Sequence, residues 1–135
     1  MLSYPLDIVN NPAQVQKDLK YYEPRMSANG PAMGNSVLSV LYSRIGNPDK
    51  AQELLNKSYK PNQVPPFGVL AETAGGTNPY FATGAGGFLQ AVIFGFGGLQ
   101  ITDQGISQNK TTLPKSWSNL KIKNVGVDGK DYIVK

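Results

Sequence analysis

Residues 81–101, FATGAGGFLQAVIFGFGGLQI, change character halfway and so decide how the chain is read. Phe88, Leu89, Val92 and Ile93 recur at helical spacing, which predicts a buried helix from about Ala85 to Phe94. Beyond the glycines the period switches, and LQIT begins a strand. The apolar run is under 18 residues and is interrupted by Gln90 and glycines, so it is a core helix with its following turn and not a membrane span. The region from Gly68 to Gly98 holds nine of the fifteen glycines and, with Phe67, all five phenylalanines.

Working outward toward the N-terminus, three helices are expected. Asn11-Pro12 supplies an N-cap and a first-turn proline, and Val15, Leu19 and Tyr22 follow at helical spacing, giving a helix over 12–22. Pro24 ends it, and SANGPAM is a loop. Met33, Val37, Leu38, Val40, Leu41 and Ile45 cover one face of a second helix, stopped by Gly46. The third starts at Asn47-Pro48, with Asp49 in the first turn, where the helix dipole favours an anion. The short Gly-Asn-Pro link makes these two a helical hairpin. KPNQVPP is a proline-rich crossing segment. The opening LSYPL, stopped by Pro5, reads as the end of an element, as if the chain began inside a domain. Toward the C-terminus, LKIKNVGV and YIV around Asp128-Gly129 predict a closing hairpin. The expectation is a mainly α chain with a small β tail.

Composition narrows the chemistry. The chain has 135 residues, 40% hydrophobic and 16% charged, enough for one core-forming unit. The net charge of +4 comes from scattered basic residues, with only Lys121 and Lys123 alternating on a strand face. Without a basic stripe interleaved with aromatics, nucleic acid is not an expected partner, and neither is a membrane. There is no cysteine and no histidine, which removes thiol nucleophiles, Ser-His pairs and the usual zinc sites; no metal or cofactor is implied. Acid–base work falls to nine carboxylates, seven tyrosines or the lysines. The absence of cysteine decides no compartment.

Among the carboxylates, Glu72 stands out. It lies in AETAGGTNPYFATGAGGFLQ (71–90), a glycine-rich stretch without a base and with Tyr80 and Phe81 side by side. Glycines let a loop approach a ligand closely, and carboxylates beside aromatic rings recur in sugar sites. Asp49, Glu53, Asp18 and Asp128 are explained by helix starts, exposed faces or a turn. Glu23 and Asp103 remain open, with a structural reading of each preferred to a catalytic one. A solvated loop residue is the plain alternative for Glu72. An anion held at the helix start near Gly84 is a further reading, against simple close packing by the glycines.

LKYYEPRMSANGPAM, LYSRIGNPDKAQELL, FATGAGGFLQAVIFGFGGLQI and the closing LPKSWSNLKIKNVGV together resemble the C-terminal end of glycoside hydrolase family 65. The resemblance covers nearly the whole chain, in order. It implies the last helices of an (α/α)6 catalytic barrel over residues 1–112, then part of a C-terminal β segment over 113–135. The family contains disaccharide phosphorylases and hydrolases that act with inversion. The phosphorylase pattern has a serine-rich loop and a histidine, where this chain has SANGPAM and Phe81. The hydrolase pattern, GPAM, then a glutamate, then TGAGGFLQ, is matched throughout.

By that resemblance Glu72 is the general base that activates water, on a mobile loop able to close over the pocket. Tyr80, Phe81 and Gln90 line the site, with Phe81, like Phe88, equally good as core, and Asn29 through Met33 contribute loop walls. The general acid lies on a preceding part of the barrel. The partners implied are an α-linked glucose disaccharide or glucoside of the trehalose, maltose or kojibiose type and the N-terminal part of the same enzyme; the chain alone would be inactive. A non-catalytic sugar-binding or structural remnant that persists by self-association is the second reading, and a phosphorylase fragment the third.

Overall fold

A computed structural model describes residues 2–135. The first helix, α1 (Pro12–Tyr22), starts where expected. The Asn11 side chain accepts from the Ala13 and Gln14 amides at 3.0 and 3.3 Å, satisfying two N–H groups that the helix itself cannot. Pro24 lies in a single 3-10 turn that follows. Helices α2 (Ala32–Arg44) and α3 (Pro48–Lys57) form the expected hairpin. Gly46 takes φ +80° at the turn, and the Asn47 side chain accepts from the Lys50 amide to cap α3. Val15 and Leu19 of α1 pack with Leu38 and Leu54 in one cluster, so the first three helices share a core. Ser39, fully buried, is satisfied across the hairpin by donating to the Ala51 carbonyl at 2.8 Å.

The fourth helix departs from the sequence-based prediction. α4 (Ala82–Gln90) begins three residues earlier than Ala85 and runs without a break into a π-helical segment, Ala91–Phe96. The Gly97 amide reaches back five residues to the Val92 carbonyl. The buried face also differs. Phe88 and Val92 pack half-buried on the core and Ile93 is half-buried, but Leu89 is 55% exposed. Facing α2 instead are Gly84, Gly87, Ala91 and Gly95, opposite Ala32, Ser36, Val40 and Ser43. Small residues on both helices let the backbones approach, which moves the bulky side chains to the flanks of the contact. A Cβ on Gly95 would meet the Val40 Cα at 3.2 Å. Hydrophobicity alone does not disclose such a face.

Among the described residues, three two-stranded antiparallel sheets accompany the helices. The first pairs β1 (Gln63–Val64), inside the stretch read as a proline-rich crossing, with β2 (Val69–Leu70), just beyond it. Two residues per strand carry no alternation to detect. β3 (Leu99–Thr102) pairs with β4 (Gly105–Gln108), and β5 (Leu120–Val125) with β6 (Lys130–Val134) through the expected turn. A bulge between Ile122 and Val125 carries Asn124 at φ 57°. The tail is fastened to the helices by Phe96, fully buried, whose ring lies 4.8 Å from that of Trp117. The chain is thus mainly α with a small β part. No described helix is long and apolar enough to cross a membrane.

Candidate functional site

Glu72 sits just after β2, where the chain leaves the small sheet and passes the N-terminus of α2. Its backbone is tightly held. The Glu72 carbonyl accepts from the Ala32 amide at 3.2 Å and from the Asn62 carboxamide at 3.0 Å. The same carboxamide donates to the Ala71 carbonyl at 3.2 Å, and the Ala71 amide returns a bond to the Asn62 carbonyl at 2.8 Å. Farther along, the Gly75 amide donates to the Pro61 carbonyl. Asn62 is 3% exposed, so both its amide protons are spent on this segment away from water. The mobile loop expected around Glu72 is, at Glu72 itself, an anchored strap.

The carboxylate of Glu72, by contrast, is exposed and takes no hydrogen bond or ion pair among the described residues. Most other acids are committed. Asp7 pairs with Arg44, Asp18 accepts from Gln14, and Glu53 bridges Lys50 and Lys57. Asp49 stands at 3.5 Å from the Lys115 amide, and Asp131 pairs with Lys121 while capping the Asn124 amide. Glu23 accepts from the Tyr42 hydroxyl at 2.5 Å and pairs with Lys50 at 3.0 Å. Burial first, and then that bond to Glu23, push the Tyr42 hydroxyl up to about 12. Asp103 and Asp128 occupy hairpin turns. Glu72 therefore combines a fixed backbone with an uncommitted carboxylate, which suits a group that must meet something outside the chain. Among the described residues no cluster of three or more acids could hold a metal.

Tyr80 and Phe81 are brought to the same end of the molecule. The Phe81 amide donates to the Leu70 carbonyl at 2.8 Å, and its own carbonyl accepts the first turn of α4 through Gly84. Phe81 is half-buried; a Cβ on Gly84 would touch its ring at 3.0 Å. Tyr80 is 81% exposed and takes φ 67°, a left-handed conformation uncommon for a bulky residue. The SANGPAM loop meets the strap on the Asn62 side: Ser27, Ala28 and Gly30 share a cleft of about 370 Å³ with Asn62 and Ala74, which Glu72, Tyr80 and Phe81 do not line. Gln90 is elsewhere. It lies eight residues down α4, about 12 Å along the axis, and its side-chain oxygen accepts from the Tyr4 hydroxyl at 2.5 Å. The two clefts it lines contain neither Glu72, Tyr80 nor Phe81.

Asn62 is the member of this arrangement that sequence reasoning missed. Within KPNQVPP an asparagine after proline reads as ordinary turn chemistry. The one available signal was that it falls ten residues before the acid singled out, a separation that becomes proximity only once β1 and β2 pair.

No family model matches the chain. It is 54% identical over its whole length to a kojibiose hydrolase of Mucilaginibacter mallensis, covering 20% of that protein. It is 46% identical over 99% of its length to a kojibiose hydrolase of Flavobacterium johnsoniae, again covering 20%. A protein-glucosylgalactosylhydroxylysine glucosidase of Danio rerio is 36% identical over 93% of the chain, which covers 19% of it. The chain spans about a fifth of the length of the curated relatives it matches.

Proposed function

This chain belongs to glycoside hydrolase family 65 and matches the C-terminal region of its relatives, and from that premise we propose that it carries the base-bearing end of an inverting α-glucoside hydrolase. Residues 1–112 form the last helices of an (α/α)6 barrel, and residues 113–135 form part of a β segment that follows it. Substrates are α-linked glucose disaccharides or glucosides of the kojibiose, trehalose or maltose kind. The preceding part of the same enzyme is the required partner, because it holds the general acid.

In this reading Glu72 accepts a proton from water as the water oxygen attacks the anomeric carbon. The glycosidic C–O bond breaks, and the acid on the preceding barrel protonates the departing oxygen. Inversion requires the two carboxyl groups to stand about 6.5–9.5 Å apart so that water fits between them. A second carboxylate close to Glu72 is therefore neither needed nor expected within this chain. Tyr80 and Phe81 form the aromatic wall beside the base. Gln90 is the more distant wall position, with its side-chain oxygen already occupied by Tyr4. The observation that carries the proposal is the contrast at Glu72 between a backbone held by two donors and a carboxylate with no partner among the described residues.

Glu72→Gln in the intact polypeptide tests it. Turnover of kojibiose should fall by roughly 10²–10⁴-fold, with KM within a few-fold, as expected for loss of a general base. Proton NMR of the first glucose released by the unaltered enzyme should show the β-anomer. Near-normal turnover in Glu72→Gln, or initial release of α-glucose, would overturn the reading.

A further inference from the structure

We infer that Asn62 is the positioning residue for Glu72, and the inference rests on the reading of Glu72 as base. The geometry leaves Asn62 little other employment. It ends a 3-10 turn, Lys60–Asn62, just before β1, and is almost fully enclosed. Its carboxamide nitrogen has two protons and directs one at each of two successive carbonyls, those of Ala71 and Glu72. Its main chain accepts from the Ala71 amide as well. Three bonds from one residue thus fix consecutive peptide planes, and those planes set where the Glu72 Cα–Cβ bond points.

The Ala32 amide adds the fourth bond from the opposite side, which ties the strap to the start of α2 and hence to the helical core. A general base must be held to within a fraction of an ångström of its water, because small misplacements are costly in rate. The Glu72 side chain has no partner among the described residues to provide that placement. Its backbone is what provides it, and Asn62 is the only side chain bonded to that backbone among the described residues. Removing the carboxamide leaves two inward carbonyls with one donor between them, so the segment shifts or admits water.

Asn62 acts through Glu72, and that gives a test which plain stability loss does not mimic. In the intact polypeptide Asn62→Ala should lower kcat for kojibiose about 10–100-fold while KM stays within about twofold. Ser58→Ala is the matched control: Ser58 is also fully buried and donates to the Leu55 carbonyl at 2.7 Å, but it bonds nothing in the strap. It should lower Tm comparably and leave kcat within about twofold. The double variant Glu72→Gln/Asn62→Ala should be no slower than Glu72→Gln alone, since a residue working through the base adds nothing once the base is gone. Should Asn62→Ala fail to fold, Asn62→Ser, whose hydroxyl reaches one carbonyl at most, carries the same comparison. Equal kcat losses in Asn62→Ala and Ser58→Ala, or additive losses in the double variant, would overturn the positioning role. Full turnover in Glu72→Gln alone would instead overturn the assignment of the base.

Discussion

Ser36 Oγ lies 3.0 Å from the point that a Cβ on Gly87 would occupy, while a Cβ on the neighbouring Gly86 would meet no atom within 4 Å. Two adjacent glycines in one helix therefore have opposite meanings. Gly87 is small because α2 leaves no room, whereas Gly86 faces open space. Gly87→Val overfills the contact and should destabilise the fold by about 1–3 kcal/mol. Gly86→Ala removes backbone freedom from the unfolded chain and should stabilise it by roughly 0.5–1 kcal/mol. Urea midpoints of both variants in the intact polypeptide check the pair. Losses of equal size would mean that the close approach of α2 and α4 is not what the glycines serve.

Phe96 joins the helical body to the β tail. It is fully buried at the end of the π-helical segment, packs against Trp117, and its carbonyl accepts from the Thr111 hydroxyl at 2.7 Å. Phe96→Ala should cost about 3–5 kcal/mol, the range for emptying a large aromatic site in a packed core. Phe96→Leu, which refills much of the volume, should cost clearly less. Denaturant midpoints give both values. Limited proteolysis adds the spatial test: cleavage within 110–119 should rise in Phe96→Ala if the ring holds that segment down.

The first three helices were legible because their boundaries are written locally. Asn11-Pro12 and Asn47-Pro48 satisfy orphan amides with the side chain next door, and Gly46 supplies the positive φ that ends α2. The β5–β6 hairpin was legible through Asp128-Gly129 for the same reason. The helix α4 was legible but its buried face was not, since that stripe is composed of glycines and alanine, weakly apolar on their own, and only the serines and Val40 opposite give them meaning. The strap at Glu72 was half legible. An unpaired acid among glycines and aromatics marks itself in one dimension. Its anchoring by Asn62 depends on a two-residue strand pair and a helix start forty residues upstream, neither of which leaves a periodic trace.

The Tyr42–Glu23–Lys50 cluster predicts how stability should change in alkali. Tyr42 is raised from its ordinary value of 10.0 to about 12, chiefly by burial and then by its bond to Glu23. Below pH 10 the hydroxyl is protonated in both folded and unfolded chains, and it contributes no slope. Between about 10 and 12 the unfolded chain releases the proton while the folded chain keeps it, so stability must fall with pH across that window. Lys50 acts in the same direction. Glu23 holds it above 10.5, so its contribution is complete below that value and is lost as pH rises through the folded pKa. Glu53 is held below 4.5 by Lys57 and Lys50, and its contribution is lost on the acid side instead. Stability should therefore run level from about pH 5 to 10 as far as these groups decide it, and then decline. Tyr42→Phe should lower the level stretch, because Glu23 loses a donor, yet make the alkaline decline shallower, with Lys50 and Tyr4, the latter also raised by burial, supplying what slope remains. Urea unfolding at pH 8, 9, 10 and 11 for both proteins separates the two effects, since the bond to Glu23 sets the height of the curve and the buried hydroxyl sets its slope. An unchanged alkaline slope in Tyr42→Phe would show that the hydroxyl titrates alike in the folded and unfolded chains.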